Sequence, residues 1–384
     1  MSMGSSKKRQ SGQSEKGAKE EIVRIGVVSA TGTGRKRILP ALLGSDTCKV
    51  TAVHGRDEDK VRRLGKDFNL RHTYTELEQM ISEAEFDIAV VCSPPFLHKE
   101  QLEVLVRAGV PSLCEKPLAL SEKEATAIKK MVEKSSTPVM VAHQLRHQNT
   151  YAEIKQALEG GEIGEVESAS FEWNYLLDRE DPQNAWKLDP ALNGPTCLSD
   201  AGVHCVDLAI DLFGPGSIWG AMARGGENEG VIEDCDMLAV HSGVRVSYTV
   251  SRLSRTVGNK LFISGTLGEI VAHHFFTDSS APSVKITVDG QDRIVEKAAG
   301  NPYRQVIEDF ARAASDSDFV SVGTTLDEAV SACRMIDEAY EALGSPTGEW
   351  EPGSYQDSGS DPDSSGEPDS GSDPDSGDDQ SSHD

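Results

Sequence analysis

The chain has no pair of cysteines spaced as Cys-x-x-Cys, no apolar run near the ~20 residues a bilayer requires, and little positive charge. Its seven cysteines, at 48, 92, 114, 197, 205, 235 and 333, are scattered and odd in number, which predicts reduced thiols in a cytoplasmic protein. Cys197, His204 and Cys205 come nearest to a metal cluster. Adjacent helical residues point about 100° apart and no second pair completes a tetrahedron, so no metal is expected. The first residues lack the apolar stretch of a signal peptide, which predicts a soluble protein with no membrane partner. Lys and Arg number 38 against 63 Asp and Glu, a formal charge of −25, and the polar head carries a basic cluster, Lys7-Lys8-Arg9. A surface of that sign argues against nucleic acid as a partner. The polar head, 1–20, and the Ser-, Asp-, Gly- and Pro-rich tail, 351–384, cannot bury apolar surface and are expected to be disordered.

Between these ends, 384 residues leave room for two domains. Over 21–144, short apolar runs (22–28, 49–54, 87–92, 110–114, 138–142) alternate with helical stretches (35–43, 58–68, 76–82, 97–108 and from Ser121 to about 134). That rhythm means a parallel sheet wrapped on both faces. The first run passes into Ser29-Ala30-Thr31-Gly32-Thr33-Gly34 and then a helix, the opening of a dinucleotide-binding unit whose backbone N–H groups hold a pyrophosphate. Ser29 and Thr31 stand where the G-x-G-x-x-G fingerprint expects glycine, and only Gly34 matches. Both are small enough to admit a phosphate, and their hydroxyls can donate to it. The second strand ends in Gly55-Arg56-Asp57. An arginine here suits the 2′-phosphate of NADP, whereas a carboxylate suits the ribose of NAD, so Arg56 favours NADP and Asp57 leaves NAD possible. That Arg56 only caps a loop stays open.

Beyond 144 the rhythm changes. A helix over 151–159 leads into strands at 165–176, 217–223, 236–241, 245–251, 260–264, 283–288 and 292–297, with helices over 199–213, 303–315 and 325–343. The reading is an α/β chain: a Rossmann dinucleotide-binding domain over 21–144, then an α+β domain over 145–350 with a large, mostly antiparallel open sheet.

The apolar run at 110–114 stops abruptly at Glu115-Lys116-Pro117. Ligands of open α/β sheets sit beyond the carboxyl ends of the strands, so Lys116 is expected to project into that crevice. Taken alone, it reads equally as a surface lysine in a loop.

Taken in order, residues 26–42, Ser93-Pro94-Pro95 with His98, Cys114-Glu115-Lys116-Pro117-Leu118, Trp186-Lys187-Leu188-Asp189-Pro190, Asp200-x-x-x-His204 and Gly265-Thr266-Leu267-Gly268-Glu269 resemble the Gfo/Idh/MocA oxidoreductases (the glucose-fructose oxidoreductase, inositol dehydrogenase and rhizopine catabolism family). The resemblance covers about 23 to 343, and the Glu-Lys-Pro stretch with Asp-x-x-x-His is its specific part. It implies hydride transfer between NADP or NAD and a secondary alcohol or ketone of a sugar, amino sugar or cyclitol. Lys116, Asp200 and His204 would be the catalytic groups. Ser29, Thr31, Gly32, Thr33, Gly34, Arg56, Ser93, Pro94, His98, Glu115 and Lys116 would hold the cofactor, and a homodimer or homotetramer would form through the second-domain sheet. Asn193-Gly194-Pro195 departs from the consecutive glycines many relatives carry before the catalytic helix.

The chemistry also follows from the residue types. A proton must leave or join the oxygen as hydride moves, and an imidazole suits that task, so His204 is the expected base in oxidation and acid in reduction. Asp200, four residues earlier, orients the substrate or biases the imidazole, while Lys116 stabilises charge on the reacting oxygen. Trp186, Lys187 and Arg146 are expected on the substrate side with Lys116, Asp200 and His204, where an aromatic face suits a sugar's C–H surface and cations its oxygens. Packing or solvent roles for those three stay open, as does a structural pairing of His204 with Asp207. The same fold acting on a non-sugar diol or imine, or serving as a sensing regulator without catalysis, is the competing interpretation.

Overall fold

The computed structural model describes residues 22–225, 231–254, 258–276, 283–295, 300–316 and 319–344, so the head and tail expected to be disordered lie outside the described residues. Six strands form the first sheet: β1 (Val23–Val28), β2 (Cys48–His54), β3 (His72–Tyr74), β4 (Ile88–Val91), β5 (Ser112–Glu115) and β6 (Val139–Ala142). Every pairing is parallel. β4, β5 and β6 are buried at each position, as strands covered on both faces must be. The order β3-β2-β1-β4-β5-β6 reverses direction between β1 and β4. A crevice opens where the turns after β1 and β4 leave to opposite sides, the place such sheets bind ligands.

The second sheet has eight strands: β7 (Val166–Asn174), β8 (Gly216–Gly225), β9 (Ile232–His241), β10 (Val244–Ser251), β11 (Asn259–Gly265), β12 (Gly268–His273), β13 (Ser283–Val288) and β14 (Gln291–Val295). Their order is β14-β13-β12-β11-β7-β10-β9-β8, antiparallel except for the β7–β10 pair. β12 and the three-residue β3 are absent from the sequence reading. The β11–β12 turn requires glycine, because a Cβ on Gly265 would lie 2.2 Å from the Ile163 carbonyl oxygen.

Alternate residues of this sheet, among them Ala169, Phe171, Met237, Ala239, Tyr248 and Ile263, are buried in one core with the helices Asn149–Glu159 and Val203–Phe213. Trp219, Met222 and Leu238 are exposed on β8 and β9. The last two helices return to the first sheet. Helix Pro302–Ala314 places Val306, Ile307, Phe310 and Ala311 in a core with Ile25 and Val27 of β1. Helix Leu326–Ala342 gives Ala329 and Cys333 to the core on the other face of that sheet, and Met335, Ile336 and Ala339 to the core of the second.

Candidate active site

The turn after β1 is tight. Ser29 takes a left-handed conformation at φ 56°, a region costly for a residue with a Cβ. Two hydrogen bonds hold it there: its N–H donates to His54 Nδ1 at 3.3 Å and its hydroxyl accepts from Gln101 at 3.0 Å. The π-helical segment Ala30–Ile38 follows, broken at Gly32, where an added Cβ would meet nothing within 4 Å. Gly34 packs the segment onto the sheet, and a Cβ there would sit 3.3 Å from Val27 and 3.4 Å from Ala30. Thr31 and Thr33 are half-buried on the same turn.

A dinucleotide fits this end of the sheet: open space faces Gly32, and the buried Ser93 Oγ and Glu115 Oε1, at the ends of β4 and β5, have no hydrogen-bond partner. Pro94 is half-buried beside Ser93. Arg56 is exposed after β2, while Asp57 is already committed, its carboxylate capping helix Glu58–Asp67 through Lys60 N–H at 3.0 Å and pairing with the Lys60 ammonium at 3.3 Å.

β5 ends at Glu115, and the next peptide bond but one, Lys116–Pro117, is cis. Lys116 Nζ donates to the Asp200 carbonyl at 2.7 Å and lies 3.3 Å from Asp200 Oδ1. Asp200 sits in the wide turn Leu198–Gly202, where Val203 N–H reaches back five residues to the Leu198 carbonyl, so the expected continuous helix begins instead as a π turn. Asp200 Oδ2 accepts from Lys187 Nζ at 2.8 Å and from the Tyr175 hydroxyl at 2.7 Å. These partners hold the Asp200 carboxyl far below its ordinary range despite burial.

His204 is buried against Trp173, ring centroids 4.9 Å apart, and meets His143 edge-on at 5.6 Å. Its Nδ1 has no hydrogen-bond partner, and Asp207 pairs with other groups, so the His204–Asp207 pair does not form. Burial, then the neighbouring Lys116 and His143, push the His204 pKa well below its usual value. His143 is lowered to about 4, chiefly by burial. Burial also lowers Lys116 and raises Glu115 to about 7. Among the described residues, no group of three or more His, Cys, Asp or Glu side chains is arranged to hold a metal.

Residues 23–143 match the family model described as an oxidoreductase family with an NAD-binding Rossmann fold, and 151–271 match the GFO/IDH/MocA C-terminal domain. The chain belongs to the Gfo/Idh/MocA oxidoreductases. It is 24% identical over 328 residues to an NADP-dependent D-xylose 1-dehydrogenase of Haloferax volcanii, covering 83% of this chain and 96% of that one. It is 23% identical over 339 residues to an NADP-dependent scyllo-inositol 2-dehydrogenase of Bacillus subtilis, covering 84% and 98%. The fold is shared with a 3-ketoreductase from Actinomadura kijaniata solved with NADP, at 20% identity and a TM-score of 0.71, covering 84% of this chain and 98% of that one.

Within this Gfo/Idh/MocA chain, two residues expected at the site are used elsewhere. His98 is fully buried, with Nε2 2.9 Å from the Ser93 carbonyl and Nδ1 3.0 and 3.2 Å from those of Pro117 and Leu118. Both ring nitrogens face backbone carbonyls, and the one that carries the proton donates to the Ser93 carbonyl on one side or to those of Pro117 and Leu118 on the other. Arg146, expected on the substrate side, has its guanidinium bidentate on Asp207 at 2.8 and 2.7 Å and also reaching Glu328 at 3.0 Å and Asp211 at 3.2 Å. A cation so enclosed by carboxylates does not offer itself to a sugar. Lys187 and Trp186 do meet at the cluster, the ammonium 5.8 Å over the indole ring. Tyr175, Trp173 and His143 went unrecognised in the sequence. The aromatic pair Trp-x-Tyr where β7 ends was the available signal.

Proposed function

We propose that this oxidoreductase uses NADP to interconvert a secondary alcohol and a ketone on a sugar, amino sugar or cyclitol. The observation that carries the reading is the meeting of Lys116, from the end of β5, with Asp200 and His204 of the second half, beside a turn that fits a dinucleotide. The relatives named for D-xylose and scyllo-inositol with NADP support the substrate class and the cofactor. Arg56 supports NADP over NAD, since Asp57 is occupied by its own helix.

NADP would supply the hydride acceptor for the carbinol carbon in its oxidised form and the hydride donor to the ketone as NADPH. Gly32, Thr31, Thr33 and Ser29 would hold its pyrophosphate, Arg56 its 2′-phosphate, and Ser93, Pro94 and Glu115 its inner end. Lys116, expected only to stabilise charge on the substrate oxygen, donates a hydrogen bond to it and takes over the proton exchange expected of His204. His204 is held neutral by burial, so its imidazole accepts and orients the hydroxyl; carrying the proton itself would mean charging a ring beside Lys116. Asp200 stays anionic and fixes the lysine.

The exposed Trp219, Met222 and Leu238 support pairing of two copies through the open face of the second sheet, as a dimer or tetramer. Trp219→Asp should lower the mass measured by light scattering, and an unchanged mass refutes that face. The buried free cysteines support a cytoplasmic setting, and among the described residues no helix is long and apolar enough to cross a membrane.

NADPH and NADH titrated into wild type, Lys116→Ala and His204→Ala, followed by turnover on pooled sugars, cyclitols and ketosugars, test the assignment. Tight NADPH binding in all three with turnover lost in the variants is expected. A wild type that binds neither nucleotide overturns it.

A further inference from the structure

Lys187 is engaged by the carboxylate that also meets Lys116. Its Nζ lies 2.8 Å from Asp200 Oδ2, while Lys116 Nζ lies 3.3 Å from Oδ1 of the same carboxylate. Two ammonium groups from distant parts of the chain thus converge on one carboxylate, in a place where their side chains are 25% and 14% exposed and that of Asp200 12%. One negative charge between two cations leaves a surplus positive charge where water screens it poorly. Lys187 is held to this place through its backbone, since its carbonyl accepts from Arg252 Nη1 at 2.9 Å and Asn193 Nδ2 at 3.2 Å, both buried residues.

We propose that Lys187 is a positioning residue that, by sharing the Asp200 carboxylate, loosens the hold of Lys116 on its proton. The proposal rests on the reading of Lys116 as the proton-exchanging group, and its geometry is independent of which sugar is turned over. The charged and titratable groups facing Lys116 are Asp200 of the π turn, Lys187 of the preceding loop, Glu115 of its own strand, and His204, His143 and His98. The three imidazoles are shifted toward the neutral form by burial, and Glu115 is raised to about 7. The lysine's proton affinity is therefore set first by burial, which lowers it, then by Asp200, which raises it, and Lys187, which lowers it. Removing Lys187 deletes a like charge and leaves Lys116 as the ammonium partner of Asp200, with the Tyr175 hydroxyl still donating to Oδ2. Both changes act in the same direction, toward a more tightly held proton.

The test is competitive acetylation of the full chain with limiting acetic anhydride across a pH series, the Lys116 peptide being quantified by mass spectrometry in wild type, K187M, K187Q and K187R. The Lys116 labelling midpoint should rise by about one pH unit or more in K187M and K187Q and stay near wild type in K187R. Circular dichroism establishes which variants fold, and K187Q stands in if K187M does not. A Lys116 midpoint in either neutral variant equal to that of wild type overturns the proposal. So does a raised KM for D-xylose or scyllo-inositol without a midpoint shift, which is what a direct grip on substrate produces. Turnover of those two alcohols with NADP by wild type is read separately: its absence fails the sugar-dehydrogenase reading, while the midpoint still decides the role of Lys187.

Discussion

Replacing Arg146 by Met tests whether this arginine is a structural cation or a substrate ligand. The guanidinium is almost wholly buried and joins three segments: the turn after β6, Asp207 and Asp211 of helix Val203–Phe213, and Glu328 in the first turn of helix Leu326–Ala342. Asp207, 1% exposed, keeps the Thr324 hydroxyl at 2.9 Å but loses its only full positive charge, His143 being neutral beside it. Breaking one partner out of a buried pair costs about 3–5 kcal/mol, because the remaining charge stays buried without compensation. With an unfolding entropy of ~2.1 cal/mol/K per residue over the roughly 300 described residues, a 4 kcal/mol loss lowers Tm by about 6 °C. Thermal unfolding followed by circular dichroism or calorimetry reads this directly. The double variant Arg146→Met, Asp207→Asn should recover much of the loss, since it removes the stranded charge as well. An R146M protein with unchanged Tm and a raised KM for sugar would refute the structural assignment and return Arg146 to the substrate side.

Glu115→Gln should stabilise the protein at alkaline pH and not at acid pH. The folded carboxyl titrates at about 7 against 4.5 in the reference state, so the wild type is favoured by the bound proton below about 4.5 and loses that contribution as pH climbs through 7. The advantage of the variant should therefore grow across that window to at most about 3 kcal/mol above pH 8, measured by urea unfolding at several pH values; a pH-independent difference refutes it. Gly34→Val should cost about 1–3 kcal/mol and weaken NADPH binding, because its side chain must displace the turn from Val27 and Ala30. Calorimetric titration giving the wild-type Kd would contradict that. His98→Ala removes the imidazole that lies between the Ser93 and Pro117 carbonyls, and should lower Tm and NADPH affinity together; a fall in affinity with Tm unchanged would mean that His98 touches the cofactor after all.

The parallel half was legible because its strands are continuous apolar runs and helix Glu122–Glu133 carries its own cap: Ser121 accepts from Glu124 N–H as its spacing implies. Lys116 and Asp200 were legible for a related reason, each lying in a short motif at the end of an element. What escaped depends on partners far away in the chain. Arg146 reads as a free cation until helix Val203–Phe213 brings Asp207 to it from 61 positions later, and His98 reads as a ligand until carbonyls at 117 and 118 close on it. Tyr175 gives no local sign that its hydroxyl will meet Asp200. β3 is too short for alternation to register, and β12 follows so closely on β11 that its first residues read as a turn.

The return of helix Pro302–Ala314 to β1 bears on how the chain is made. Ile25 and Val27 are synthesised near the start, yet Ile307 and Phe310, which complete their core, emerge near the end. At ~5–20 residues per second, the interval on the ribosome is roughly 15–60 s. For that time one face of the nascent parallel sheet lacks part of its cover, and the chain offers chaperones an apolar surface that helix Pro302–Ala314 later closes.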